Sequence, residues 1–200
     1  MEISTAFIGG GNMATAIIGG LIRSGTSANQ IWVVEPDAEA RERLSTQFHV
    51  NALATATSDL TCADLVVWAV KPQVFKEAAQ LSQAHVGHAL HLSVAAGISS
   101  ESIAQWLGTD RIVRAMPNTP ALIGKGMTAL YPRSSVTQVE REQIGQTLAA
   151  TGELMWVEKE AQLDVVTALS GSGPAYVFYF LEAMVDAGAA LGLSLSLIHI

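Results

Sequence analysis

The chain has 200 residues, which allows one large domain or one domain with part of a second and can bury a sizeable core. Its 18 acidic residues against 11 basic ones give a net charge of -7, which argues against nucleic acid as the main partner. Only 14% of residues are charged while 50% are hydrophobic, so part of the surface is expected to be covered by another subunit.

The opening residues MEIS lack the basic start and apolar core of a signal peptide, so a soluble, cytoplasmic protein is expected. The stretch from Thr5 to Gly25, TAFIGGGNMATAIIGGLIRSG, then predicts a strand, a tight turn and a helix. Gly9, Gly11 and Ala14 fit G-x-G-x-x-G/A, the turn that lets a dinucleotide pyrophosphate approach the amides at a helix N-terminus. Gly9 allows the turn, Gly11 removes the side chain that would block the phosphates, and Ala14 lets helix and strand pack closely. The amides of Gly11, Asn12 and Met13 then stand at the positive end of the helix dipole, where an anion can satisfy them. Ile17, Ile18, Leu21 and Ile22 supply the apolar stripe of this helix. A second strand, Gln30 to Val34, ends at Glu35, which lies 26 residues after Gly9. An acidic residue about 20 residues on is where such folds hold the ribose hydroxyls.

Asp37 to Phe48 has helical composition, with Arg41, Glu42 and Arg43 expected to face solvent. The lone Cys62 excludes an internal disulfide and reads as packing rather than as a nucleophile. Leu65 to Val70 is a continuous apolar run, as expected for a strand covered on both faces, and it stops at Lys71-Pro72. A helix over Gln73 to Gln83, a strand over His91 to Ala96 and a helix over Ser99 to Leu107 follow, the last capped by Ser99 or Ser100. Ile112 to Met116 leads into Pro117-Asn118-Thr119-Pro120. Gly124 to Leu130 is read as a strand, Val136 to Thr151 as a helix and Leu154 to Val157 as a last short strand. The alternation predicts an α/β fold, a doubly wound parallel sheet, whose ligands lie beyond the carboxyl ends of the strands. His85, His88 and His91 invite a metal reading, but no cysteine or carboxylate cluster accompanies them, and no metal is expected.

From Ala161 the pattern becomes helix after helix, Ala161 to Leu169 and Pro174 to Leu191, with Ser170 to Pro174 between them. Gly173 or Ser172 is expected to cap the second helix, with Pro174 near its first position. Val177, Phe178, Phe180, Leu181, Met184 and Val185 cover more than one stripe of that helix, which therefore needs burial on several sides. Glu182 and Asp186 interrupt it well short of the ~20 apolar residues of a membrane span. The expected division is residues 1–160 as a dinucleotide-binding domain and 161–200 as the start of a helical dimerisation domain.

F-I-G-G-G-N-M from Phe7, A-V-K-P-Q from Ala69, A-A-G from Ala95, R-A-M-P-N-T-P-A from Arg114 and A-L-S-G-S-G-P-A-Y from Ala168 resemble, in order and spacing, the pyrroline-5-carboxylate reductase family. The resemblance covers residues 3 to 194. It implies a Rossmann domain, an interlocking helical domain, a homodimer or higher homo-oligomer, and reduction of a cyclic imine carboxylate to proline with NADPH or NADH. The implied cofactor residues are Ile8, Gly9, Gly10, Gly11, Asn12, Met13 and Ala14, then Glu35, then Ala69, Val70, Lys71 and Pro72, then Val94, Ala95 and Ala96, with Asn118 near the nicotinamide. The substrate region would be Ser172, Gly173 and Pro174, where backbone amides at a helix start suit a carboxylate.

Members of the family continue into further helices and a glycine- and threonine-rich turn that contacts the substrate nitrogen; the resemblance therefore implies that the helical domain is incomplete in this chain. The catalytic group is not assignable. The tail LSLIHI does not resemble the family's next segment, and Ala56 stands where many relatives carry a cofactor-touching asparagine. Glu35, with Asp37 nearby, suits an NAD ribose, whereas Arg41 or Arg43 could reach a 2′-phosphate, so both cofactors stay open. Lys71 reads as a cofactor-edge residue rather than a nucleophile. Two other functions remain in view. One is a non-catalytic NAD(P)-binding or dimer-forming fragment. The other is a β-hydroxyacid-type dehydrogenase, which would need a lysine in the helical domain, and no lysine follows Lys159.

Overall fold

The computed structural model describes residues 3–198. Strand β1 (Thr5–Ile8) is buried on both faces and is followed by α1 (Asn12–Arg23), β2 (Ile31–Val34), α2 (Ala38–Phe48) and β3 (Asn51–Leu53). The chain continues through β4 (Leu65–Trp68), α3 (Pro72–Val86), β5 (Leu90–Ser93), α4 (Ser100–Leu107) and β6 (Ile112–Met116). It closes the sheet with β7 (Gly126–Pro132), α5 (Gln138–Leu148) and β8 (Gly152–Trp156). The order across the eight-stranded sheet is β3-β2-β1-β4-β5-β6-β7-β8. Strands β1 to β6 are parallel, β7 is antiparallel to β6, and β8 is parallel to β7. The doubly wound α/β reading therefore holds, with one reversal that the sequence pattern did not reveal.

Side-chain alternation along each strand builds two cores. Phe7, Val33, Val67 and Leu92 face one way, onto Ile17, Ile18 and Leu21 of α1 and Leu44 of α2. Ala6, Ile8, Val66 and Trp68 face the other way, onto Phe75 and Ala79 of α3 and Ile103 of α4. Both faces of β4 are thus dry, which is why Leu65–Trp68 runs apolar without a break. Ser99 caps α4 by accepting from the Ser102 amide, and Thr137 with Glu140 forms a full capping box at the start of α5.

The second core also holds a titratable group. His91 is fully buried; the Trp68 indole donates to its Nδ1 at 3.1 Å, and its Nε2 has no partner. Burial, aided by Arg111 and His88, lowers its pKa from 6.5 to about 3. His91 thus lies inside the sheet. Among the described residues no group of three or more His, Cys, Asp or Glu side chains could hold a metal ion.

Past β8 the chain runs into α6 (Gln162–Val166), a π-helical turn (Thr167–Gly171), α7 (Gly173–Ala190) and α8 (Leu195–Ile198). The expected cap between the two long helices is absent: Ser172 has helical φ and ψ, its amide bonds Thr167 O at 2.9 Å, and its hydroxyl donates to the same carbonyl at 3.0 Å. A π turn takes up Gly171, Gly173 opens α7, and Pro174, which has no amide hydrogen, follows without breaking the rod. Glu160 fastens the start of this rod. It accepts from the Ser100 amide and hydroxyl, each at 2.6 Å, and from the buried Arg114 of β6 at 2.6 Å. Burial pushes the Glu160 carboxyl up, but the Ser100 bonds and then Arg114 outweigh it and hold the pKa below the ordinary value. No residue of α7 is buried, and Tyr176, Phe178, Tyr179 and Phe180 are each more than 60% exposed. Among the described residues no helix is long and apolar enough to cross a membrane.

His91 sets a pH dependence whose sign follows from its lowered pKa. The unfolded chain takes up a proton as pH falls through 6.5, whereas the native chain resists until about 3, so stability is complete above 6.5 and lost on acidification. The urea midpoint should fall between pH 7.5 and 5 by the equivalent of about 2 kcal/mol. His91→Gln should flatten that slope; an unchanged slope would contradict the assignment.

Candidate dinucleotide and substrate site

The order 2-1-4-5 across the middle of the sheet places a topological switch between β1 and β4, where such sheets open a crevice at the strand ends. The loops after these strands meet there. Gly9 has φ +97°, and a Cβ on it would lie 2.7 Å from the Ala69 carbonyl oxygen, so only glycine admits this approach. Its amide donates to Val34 O at 2.9 Å, which joins the loop to the end of β2 as well. Gly10 is confined less strictly, since a Cβ there would press on the end of the Leu44 side chain, which can shift. Gly11 differs: a Cβ there would meet nothing within 4 Å. Gly11 is the N-cap of α1 and supplies no side-chain cap, and Gly11 and Asn12 are exposed. The first turn of α1 therefore opens onto free space with its positive dipole end, as an anion site requires.

Glu35 couples this loop to β2. One carboxylate oxygen accepts from the Gly10 amide at 2.8 Å and the other from the Asp37 amide at 3.0 Å. Arg41, expected in solvent, instead folds back, its guanidinium donating to the carbonyls of Glu35 at 2.9 Å and Pro36 at 3.0 Å. Beside this loop lies a cavity of about 430 Å³ reaching from Gly9 to Pro36, Ala54, Ala56, Val70, Val74 and Ala78. Its lining is mostly apolar, with Thr55, Glu77 and Ser82 the polar exceptions, and it includes Gly9 of the glycine turn, so a flat heteroaromatic ring fits it better than an ion does.

Of this lining the sequence points to Ala56, Val70 and the surroundings of Glu35, which take in Pro36, but not to Ala54, Val74 or Ala78. A signal was present in α3, where Val74, Ala78 and Leu81 form a second apolar row beside the buried Phe75 and Ala79. Val74 is 46% and Leu81 70% exposed, apolar area that the core does not use. Lys71 is exposed at the N-cap of α3, with Pro72 opening that helix. Val94, Ala95 and Ala96 follow β5 along the same edge, and Val94 bonds back to Trp68 O at 3.1 Å.

Asn118 lies after β6 and reaches the helical rod. Its Oδ1 accepts from the Met127 amide at 2.9 Å, and its Nδ2 faces both the carbonyl and hydroxyl oxygens of Ser170 at 3.4 Å. Gly171 packs on Met116, whose Cε lies 2.7 Å from where a Cβ would stand. Ser172, Gly173 and Pro174 thus sit one residue beyond a point held against the carboxyl end of β6. The start of α7 is not the open nest of amides expected from the sequence, because the amides of Ser172, Ala175 and Tyr176 already bond chain carbonyls. Gly173 does face open space.

Two family models match. One, described as NADP oxidoreductase coenzyme F420-dependent, covers residues 4–97, and the other, pyrroline-5-carboxylate reductase dimerisation, covers 160–197. The chain is 47% identical over 191 residues to a pyrroline-5-carboxylate reductase of Pseudomonas aeruginosa, covering 94% of this chain and 70% of that one. Among solved structures it is similar to a pyrroline-5-carboxylate reductase from Coxiella burnetii, with TM-score 0.88 and 34% identity over 99% of this chain and 74% of the other. A pyrroline carboxylate reductase from Plasmodium falciparum with NADP bound aligns with TM-score 0.85 and 27% identity, covering 99% of this chain and 74% of that one.

The contrast between Gly9 and Gly11 is testable. Gly9→Ala forces φ +97° and a carbonyl contact on alanine, and should lower both thermal stability and cofactor affinity. Gly11→Ala should leave the melting temperature within about 2 °C of the parent, since surface changes are small, yet weaken NADH binding by about tenfold or more. Calorimetric titration that found Gly11→Ala binding normally would remove the phosphate role from this turn.

Proposed function

The chain belongs to the pyrroline-5-carboxylate reductase family, and from that premise we propose how its residues divide the work. It is an NAD(P)H-dependent oxidoreductase that reduces 1-pyrroline-5-carboxylate to L-proline, the last step of proline biosynthesis. The observation that carries this is the 47% identity maintained across 94% of the chain, through both the glycine turn and the rod.

The nicotinamide cofactor, when bound, supplies the hydride that adds to the imine carbon. The chain's own residues bind and orient. The first-turn amides of Gly11, Asn12 and Met13 take the pyrophosphate, with Ile8 to Gly10 shaping the approach and Ala14 keeping α1 tight on the sheet. Glu35 takes a ribose hydroxyl, and the cavity between Pro36 and Val74 takes the adenine. Ala69, Val70, Lys71 and Pro72 line one edge of the bound cofactor, and Val94, Ala95 and Ala96 line the next. Asn118, anchored by the Met127 amide, stands near the nicotinamide end.

Ser172, Gly173 and Pro174 form the substrate region. The open face at Gly173 supports this role, since it leaves room beside the strand ends for the ring and its carboxylate. The Ser172 hydroxyl can turn from Thr167 O to a substrate oxygen at the cost of one exchanged hydrogen bond. No protein nucleophile is required, because a protonated imine accepts hydride directly.

The chain assembles with copies of itself, as the dimerisation match over 160–197 supports. The finer reading is a homodimer, with residues 1–160 binding dinucleotide and the rod from 161 onward covered by its counterpart. The unburied aromatic side chains of α7 support it, since each gains ~1.5 to 3 kcal/mol when removed from water. A cytoplasmic location fits a cofactor drawn from the metabolic pool.

The test is oxidation of NADH and NADPH by the purified chain on addition of pyrroline-5-carboxylate, with its mass followed by sedimentation. Imine-dependent oxidation by a dimer or larger assembly is the expected result. A monomer that binds cofactor without oxidising it would contradict the proposal.

A further inference from the structure

Few contacts decide where the rod past β8 lies. Leu163 is its one buried residue among those described. Hydrogen bonds from the sheet side reach it at two places, Glu160 at its start and Ser170 further along. β6 supplies a partner for each, Arg114 within the strand and Asn118 just past its end. The two holds are unequal. Glu160 accepts three bonds of 2.6 Å, whereas both Asn118 contacts with Ser170 are 3.4 Å long. Gly171 faces only the end of the Met116 side chain, which can shift.

The Glu160 clasp fixes an orientation as well as a position. Arg114 is buried, its side chain 9% exposed, and Glu160 is the anion it bonds. One Glu160 oxygen accepts from this guanidinium and from the Ser100 amide, and the other accepts from the Ser100 hydroxyl. A carboxylate bound on both oxygens by β6 and by the first residue of α4 cannot rotate without losing a bond. Arg133 extends the set, donating to the Ser100 hydroxyl at 3.3 Å and pairing with Glu101 and Asp110. Ser172 stands about 18 Å beyond Glu160, at about 1.5 Å per helical residue. A tilt of about 10° at the clasp therefore moves Ser172 by about 3 Å on that lever, and about 1 Å of misplacement can cost about 100-fold in rate. The cofactor loops are built separately. Gly9 rests on Val34 and Ala69, and Glu35 holds the Gly10 and Asp37 amides, without a bond to the clasp.

We infer that Glu160 is a positioning residue for imine reduction. Through Arg114 and Ser100 it sets the angle of the rod, and so the place of Ser172, Gly173 and Pro174 beside the nicotinamide end of the crevice, while touching neither cofactor nor substrate. The inference rests on the substrate role proposed for those three residues and adds what holds them in place. Cofactor binding and imine alignment are then separable, the first set by the glycine turn and the second by the clasp.

The test compares the parent chain with Glu160→Gln/Arg114→Met and with Ser100→Ala, by calorimetric titration with NADH and by kcat and KM for the imine at saturating NADH. The double variant keeps an acceptor for the Ser100 amide and strands no charge, since both members of the buried pair become neutral. It should bind NADH at the parent stoichiometry and within about twofold of the parent affinity, while kcat/KM for the imine falls about tenfold or more, with KM raised as well as kcat lowered. Ser100→Ala removes one bond and leaves the ion pair, so it should lose several-fold in the same sense, and it decides the matter if the double variant does not fold. In 15N spectra the Asn118 side-chain amide and the Gly171 and Gly173 amides should shift in the double variant while Gly9 and Gly11 stay in place. A role in folding alone gives another pattern, fewer NADH sites per chain with KM unchanged. That pattern, parent kcat and KM in both variants, or an equal loss of NADH affinity and imine turnover would overturn the inference and leave the reductase reading in place. Failure of the parent chain itself to oxidise NADH on addition of the imine would instead remove the reductase reading, and the inference with it.

Discussion

The crevice depends on one close approach, the backbone of Gly9 against the carbonyl of Ala69, at the place where the sheet changes direction. A Cβ at position 9 would stand only 2.7 Å from that oxygen at a φ of +97°, both of which exclude any residue but glycine. Because β1 and β4 can end that close together, the loops after them form one ridge rather than two. Glu35 then draws the third loop onto it through Gly10. Three strand ends are fixed by backbone contacts before any ligand arrives, and the amides opening α1 are left facing the space between them. Preorganisation of this kind means that binding need not order the loop.

A second constraint ties the helical rod to the same edge of the sheet. Arg114 is buried and positively charged, so it needs a partner, and Glu160 supplies it while also closing the amide and hydroxyl of Ser100. The rod starts at that junction, passes the Asn118 contact at Ser170, and leaves the body of the chain as α7 with no buried residue. Its sequence explains why: an all-round apolar helix cannot be satisfied by one face of one sheet. Its exposed aromatics carry the low charge content noted in the sequence to a particular place, a surface that fits another copy of the chain.

Much of this was legible in the amino-acid order, for identifiable reasons. The glycine turn, β1, β2 and α1 were readable because steric demands there admit few residue types. Strands β2 and β4 showed as unbroken apolar runs since they are buried in the middle of the sheet. By contrast β3 is three residues long, begins with an exposed asparagine and lies at the sheet edge, so it carries almost no apolar signal. The reversal at β7 is set by a short connection across Thr119–Ile123 rather than by composition, and strand direction leaves no mark on side-chain pattern. Ser170 to Pro174 looked like a helix break because glycine, serine and proline usually are one. A π turn accommodates Ser170 and Gly171, since it changes which carbonyl each amide meets, and Pro174 falls in the first turn of α7, where its missing amide costs nothing. Arg41 and the cavity row of Val74 and Ala78 were misread or missed for a shared reason: helical spacing shows which residues share a face but not what the opposite wall contributes.

The most direct test of the central claim is a 15N amide spectrum of the chain titrated with NADH. The account predicts that the Gly11, Asn12 and Met13 amides move first and furthest, as they gain phosphate acceptors, while Gly10 moves less because Glu35 already holds it. Shifts confined to other loops, with the first turn of α1 unmoved at saturation, would contradict it.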